Sequence, residues 1–160
     1  MRSEIIRPYI ERLIGQWLEA PVMTADDDGR YHVRVNTSGF IVEIIEYEPT
    51  LVRMWSPVLI GVEKTPDLLD TLNGLNAGGL GLRVFHTDDK VVLATELVAE
   101  TLDAREMHFA CHLLAGAAER LGPELVALHG GQTLFGTRDG DLTSVDDRAI
   151  SPALTPGGYL

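Results

Sequence analysis

Cysteine occurs once in these 160 residues, at Cys111, so no disulfide can form within the chain. A fold that holds without such bonds suits a reducing compartment. Basic residues are also scarce: 13 Lys and Arg stand against 24 Asp and Glu, for a formal net charge of −11. The arginines are scattered singly and form no patch. Such a surface repels a phosphate backbone, so nucleic acid is not an expected partner. Anionic membranes are disfavoured for the same reason, whereas a basic protein segment is acceptable. Long apolar runs are missing too, and none approaches the roughly 18 uncharged residues of a membrane span. The stretch from Met1 to Trp17 carries charges among its apolar residues and lacks a small-residue cleavage site. It is therefore not expected to act as a signal peptide, and a cytoplasmic location is expected.

What is present is an ordinary globular composition, 45% hydrophobic and 23% charged, on a chain long enough for one domain with a real core. Ile6, Ile10, Leu13, Ile14 and Trp17 recur at spacings of three and four, which predicts an amphipathic helix over about 4–19. Pro8 lacks an N–H and clashes with the preceding turn, so the regular helix either starts near Arg7 or bends there. Pro21 to Ala25 reads as a short strand, and Asp26 to Gly29 as a turn. Tyr31, Val33 and Val35 then alternate with polar residues, as in a half-buried strand. Phe40–Tyr47 and Leu51–Ile60 are two longer β runs separated by Glu48-Pro49.

These two runs are apolar on both sides. Phe40, Val42 and Ile44 point one way, and Ile41, Ile45 and Tyr47 the other; Val52, Met54 and Val58 oppose Leu51 and Trp55. A sheet with one wet face alternates more cleanly. A partner chain, a bound peptide or the C-terminal tail would account for a covered second face, and isolated exposed apolar residues would account for it otherwise. Glu43, Glu46 and Glu48 sit among these apolar residues and read as salt-bridged or edge positions.

Thr65-Pro66-Asp67 starts a second helix, with Thr as N-cap and Pro at the first position. Leu68, Leu69, Leu72 and Leu75 form its buried stripe, and Gly78-Gly79 ends it. Leu80–Phe85 and Val91–Val98 form a hairpin. Asp103 and Glu106 make a capping box for a third helix whose buried face includes Met107, Leu114 and Leu121. Gly122-Pro123 is expected to interrupt it. Residues 131–160, rich in Gly, Pro and Asp, read as an irregular tail following a single domain over 1–130.

The residues that invite chemistry do not complete a site. His108, Cys111 and His112 share one helical face at good spacing for zinc, but three ligands do not close a tetrahedral site. They define the alternative reading, a metal-binding enzyme or sensor. Gly74, Gly78, Gly79 and Gly81 follow a helix and enter a strand, the reverse of a phosphate-binding loop. Asp139-Gly140-Asp141 places Ser144 and Ile150 where an EF-hand needs glycine and glutamate. No catalytic residue, metal or cofactor is therefore expected.

The stretch over 68–122 resembles the bacterial YbjN family. Its marks are a Leu-rich helix with Leu-Asn-Gly-Leu-Asn at 72–76 before a small-residue turn, then Val-Val-Leu-Ala-Thr-Glu-Leu at 91–97. A long helix with many small residues follows. The order of elements over about 4–125 is similar to that of type III secretion chaperones. This resemblance implies an α+β fold, α-β-β-β(-β)-α-β-β-α, with an antiparallel sheet and helices packed mainly on one face. It also implies a small acidic protein, often dimeric, that binds a partner polypeptide. The expected function is thus a non-enzymatic peptide-binding module acting as a homodimer. Phe40, Val42, Ile44, Val52 and Met54 are the expected peptide-binding set, with Ile41, Ile45 and Trp55 as the competing one.

Overall fold

In the computed structural model the described residues are 2–20, 23–79 and 81–134. Three helices, α1 (Arg2–Leu18), α2 (Pro66–Ala77) and α3 (Ala104–His129), accompany five strands. The strands are β1 (Tyr31–Val35), β2 (Ser38–Ile45), β3 (Leu51–Ile60), β4 (Arg83–Thr87) and β5 (Lys90–Val98). They form one antiparallel sheet in the order β1-β2-β3-β5-β4, so the second hairpin adds to β3 through β5. This is the α+β architecture expected from the sequence.

One core joins the sheet to all three helices. Ile10 and Ile14 of α1, Leu68 and Leu72 of α2, and Met107, Leu114 and Leu121 of α3 pack with Val42, Met54 and Leu93. Tyr31 fastens α1 to β1: Arg7 donates to its hydroxyl at 3.0 Å, and that hydroxyl donates to Glu11 at 2.7 Å. Both predicted caps form. Thr65 Oγ1 accepts from the Leu68 N–H at 3.2 Å, and Asp103 exchanges bonds with Glu106. Each such cap contributes about 1 kcal/mol.

One alternative is settled and two expectations change. Of the two alternatives for α1, a start near Arg7 is excluded, since the helix runs through Pro8 from Arg2; the buried stripe below it outweighs the one backbone bond that proline forfeits. Helix α3 likewise runs through Gly122-Pro123 to His129 without interruption. Leu121 and Leu125 are buried on either side, and Gly122 leaves room for the chain that follows α3: a Cβ there would stand 3.1 Å from Thr133 Cγ2. Met23 to Ala25 are not a strand, and the remaining two residues of that expected element lie outside the described ones. Asp26 instead organises the local chain, with its Oδ1 accepting the N–H groups of Asp28 and Arg30.

Of the expected tail, residues 131–134 are described and the rest lie outside. Gln132 pairs with Ile60 through two backbone bonds of 2.8 and 2.9 Å. Lys90 of β5 occupies the other side of Ile60, so Gln132 stands in line with β2.

Candidate functional site

Strand alternation gives this sheet a helix face and a second face. Phe40, Val42, Val52 and Met54 lie on the helix face and are buried in the main core; Ile44 is half-buried beside them. The expected peptide-binding set is thereby placed beneath α1 and α3. The competing residues lie on the opposite side. Ile41 pairs with Trp55, Trp55 with Ala94, and Ile45 with Leu51.

The second face has three rows. The first is apolar: Ile41, Trp55, Val92 and Ala94 cluster there with half-buried Phe85 against them. The third consists of Ile45, Leu51 and Val98, in register across β2, β3 and β5. Between them runs a ladder of alternating charge across the whole sheet. Arg30 Nε lies 3.4 Å from Glu43 Oε2, and Arg53 Nη1 lies 3.4 Å from Glu43 Oε1. Arg53 Nε reaches Glu96 Oε1 at 3.2 Å, and Arg83 Nη2 reaches the same oxygen at 2.6 Å. The expectation that Glu43 is salt-bridged is met. The partners were not legible, because Arg53 and Glu96 meet Glu43 only once β5 pairs with β3. The sequence signal for them was a charge set inside each of three apolar runs.

Arg53 is 4% exposed, so its charge depends on these carboxylates. Trp55 is equally buried, and its Nε1–H has no hydrogen-bond partner among the described residues. A buried donor left unpaired costs about 1–3 kcal/mol.

The sheet edges differ. Asn76, the last residue of the Leu-Asn-Gly-Leu-Asn run, donates to the Val84 carbonyl at 2.8 Å and accepts the Val84 N–H at 2.9 Å. Its amide thus takes the pair of backbone groups that the middle of β4 would offer to another strand. At the other edge, β1 pairs only with β2 among the described residues.

The metal alternative finds no support in the geometry. His108 Nε2 is engaged with the Leu13 carbonyl at 3.2 Å, Cys111 is buried in the core, and His112 is exposed. Burial pushes the Cys111 thiol up to about 12. Among the described residues no three His, Cys, Asp or Glu converge as metal ligands. No described helix is long and apolar enough to cross a membrane.

Residues 4–137 match the family model described as T3SS (YopN, CesT) and YbjN peptide-binding chaperone 1. No curated protein matches the sequence. Among solved structures, a chain of the ExsC-ExsE complex is similar at 15% identity and a TM-score of 0.59, over 76% of this chain and 92% of that one. A chain of the HopA1-SchA chaperone-effector complex is similar at 14% identity and 0.54, over 74% and 98%. A chain of the heterodimeric ExoU-SpcU complex, from the type III secretion system of Pseudomonas aeruginosa, is similar at 16% identity and 0.55, over 71% and 95%. At these identities the likeness is one of fold.

Proposed function

Because the chain belongs to the family of T3SS (YopN, CesT) and YbjN peptide-binding chaperones, we propose that it binds a polypeptide client, without catalysis, on the second face of its sheet. The observation that carries this reading is the apolar cluster of Ile41, Trp55 and Val92, which lies on the face opposite all three helices. The partly exposed row of Ile45, Leu51 and Val98 offers apolar contacts to a client. The ladder between them offers carboxylates to a basic residue and guanidinium groups to an acidic one. Phe40, Val42, Val52 and Met54 hold the strands in place from behind, with Ile44 at the margin. The chain's net charge of −11 favours clients with a basic segment.

The functional unit is proposed to be a homodimer in the cytoplasm. The edge of β1 and the exposed side chains of Phe109 and Leu128 support self-association. Light scattering at micromolar concentration tests this part: a mass of two chains is expected, and a stable single-chain mass would contradict it.

Client binding is tested by fluorescence anisotropy of a labelled, unfolded polypeptide with alternating basic and apolar residues. The native chain is expected to bind it saturably, and Ile45→Asp to weaken that binding at least severalfold while the circular dichroism stays native. Unchanged affinity in the variant would place the client elsewhere.

A further inference from the structure

Glycine is a poor residue for a helix interior, because unfolding frees it more than any other residue. Gly116 nevertheless stands in the middle of α3, a helix of 26 residues. Among the described residues nothing requires it. The position is exposed, and a Cβ built there would meet no atom within 4 Å. A glycine with open space on its outer side suits the close approach of another backbone from that side.

The neighbours of Gly116 share its outward stripe. Arg105, Phe109, Arg120 and Pro123 lie within about 60° of one another around the helix, and Glu124 flanks them. All five are exposed, and Phe109 leaves 67% of its surface in water. The helix is held on either side of this stripe rather than over it. On one side His108 Nε2 meets the Leu13 carbonyl of α1 at 3.2 Å. On the other, His129 Nε2 meets Thr71 Oγ1 of α2 at 2.9 Å.

The order of charges indicates what fits there. Turned end for end about an axis between Leu113 and Gly116, the stripe complements itself. Arg105 then faces the partner's Glu124, and Phe109 faces the partner's Arg120, each twice by symmetry. Sliding one turn in one direction sets Arg105 against the partner's Arg120. Sliding one turn in the other sets Phe109 against the partner's Glu124. Of these three registers the first alone pairs opposite charges. Within one chain Arg120 Nη1 lies 3.8 Å from Glu124 Oε2 with both side chains more than half exposed, so their own pairing is weak. Helix α2 has an outer face too, with Leu69 and with Gly74, where a Cβ would also meet nothing. Its charged residues are Asp67 and Asp70 with no cation, so two copies of that face repel.

We propose that a second copy of this chain docks antiparallel along the exposed stripe of α3, with Arg105 on the partner's Glu124 and the two backbones closest beside Gly116. This deepens the homodimer reading given above and rests on it. The stripe lies on the helix side of the sheet, away from Ile41 and Trp55, so pairing leaves the client-binding face of each copy open.

The test is the dimer dissociation constant of the full chain by sedimentation equilibrium. Arg105→Glu and Glu124→Arg should each raise it about tenfold, because symmetry turns two attractions into two repulsions. The chain carrying both substitutions should return close to the native value. A double variant no tighter than the singles would overturn the proposal, and so would singles as tight as the native chain. Gly116→Leu gives a readout that misfolding does not imitate. Leucine has room there in the single chain and favours helix, so the circular dichroism should stay native while the dimer is lost. A Gly116→Leu dimer as tight as the native one would overturn the proposal, as would a dimer broken by Leu69→Asp on α2 and by none of the α3 variants. Those results would leave the homodimer standing and move its interface elsewhere. A native chain that keeps a single-chain mass at micromolar concentration would end both readings at once.

Discussion

Arg53 Nε donates to Glu96 Oε1 at 3.2 Å across the β3–β5 pair. With Glu43 on its other side at 3.4 Å, this guanidinium is the centre of a ladder linking Arg30, Glu43, Arg53, Glu96 and Arg83. Its burial makes it unlike a surface ion pair, whose worth is often below 1 kcal/mol. Arg53→Ala removes the central cation and leaves two partly buried carboxylates facing each other. Urea unfolding should show a loss of about 3 kcal/mol. A loss within error of zero would mean that the ladder is only a surface arrangement.

Asn76 belongs to a short motif that marked the family resemblance, and the structure gives it a task. It takes the N–H and C=O of Val84 and so fixes α2 against the edge of β4. Asn76→Ala should cost about 1–2 kcal/mol by chemical denaturation, since water replaces part of what the amide supplied. Asn76→Asp should restore little, because a carboxylate cannot donate to the Val84 carbonyl. An Asp variant as stable as the native chain would contradict this role.

Cys111 is predicted to be inert in the folded chain. Burial among apolar neighbours raises its thiol to about 12, so little thiolate forms at pH 8. Iodoacetamide should label it at pH 8 only after denaturant is added. Rapid labelling of the native protein would show that α3 opens from the sheet.

Asp26 gives an acid dependence. Burial raises its carboxyl pKa, but backbone N–H groups of Arg30 and Asp28, together with His32, outweigh that and leave it below the usual value. A carboxyl whose folded pKa is depressed contributes stability above its unfolded pKa and loses it as pH falls through the folded one. Asp26→Asn should therefore lower the melting temperature near neutral pH, and the gap from the native chain should close in acid. A gap of constant size from neutral to acid would show that the carboxylate charge is irrelevant.

Much of the scaffold was legible in local patterns. Thr65-Pro66-Asp67 and the Asp103/Glu106 box fixed two helix starts because capping needs only neighbouring residues. The three-and-four spacing of Ile10, Leu13 and Ile14 marked the face that α1 buries. Where sequence reading stopped short, the missing information was tertiary. Gly122-Pro123 looks like a break, yet burial of Leu121 and Leu125 keeps the helix continuous. The two-sided apolar pattern of β2 and β3 was visible, but alternation alone does not tell which side meets the helices. The structure assigns Phe40, Val42, Val52 and Met54 to that side and Ile41 and Trp55 to the other. The partners of Arg53 depend on strand order, which no local pattern encodes, and the hydrogen bonds of Asn76 depend on how the chain turns back from α2 into β4.

The most direct test of a client-binding second face is a methyl and indole NMR titration of the full chain with an unfolded basic-apolar polypeptide. The account predicts saturable shifts of Ile41, Ile45, Val92 and the Trp55 indole, while Ile10, Ile14 and Leu114 under the helices move little. Shifts confined to the helix side, or no saturable shift at all, would contradict it.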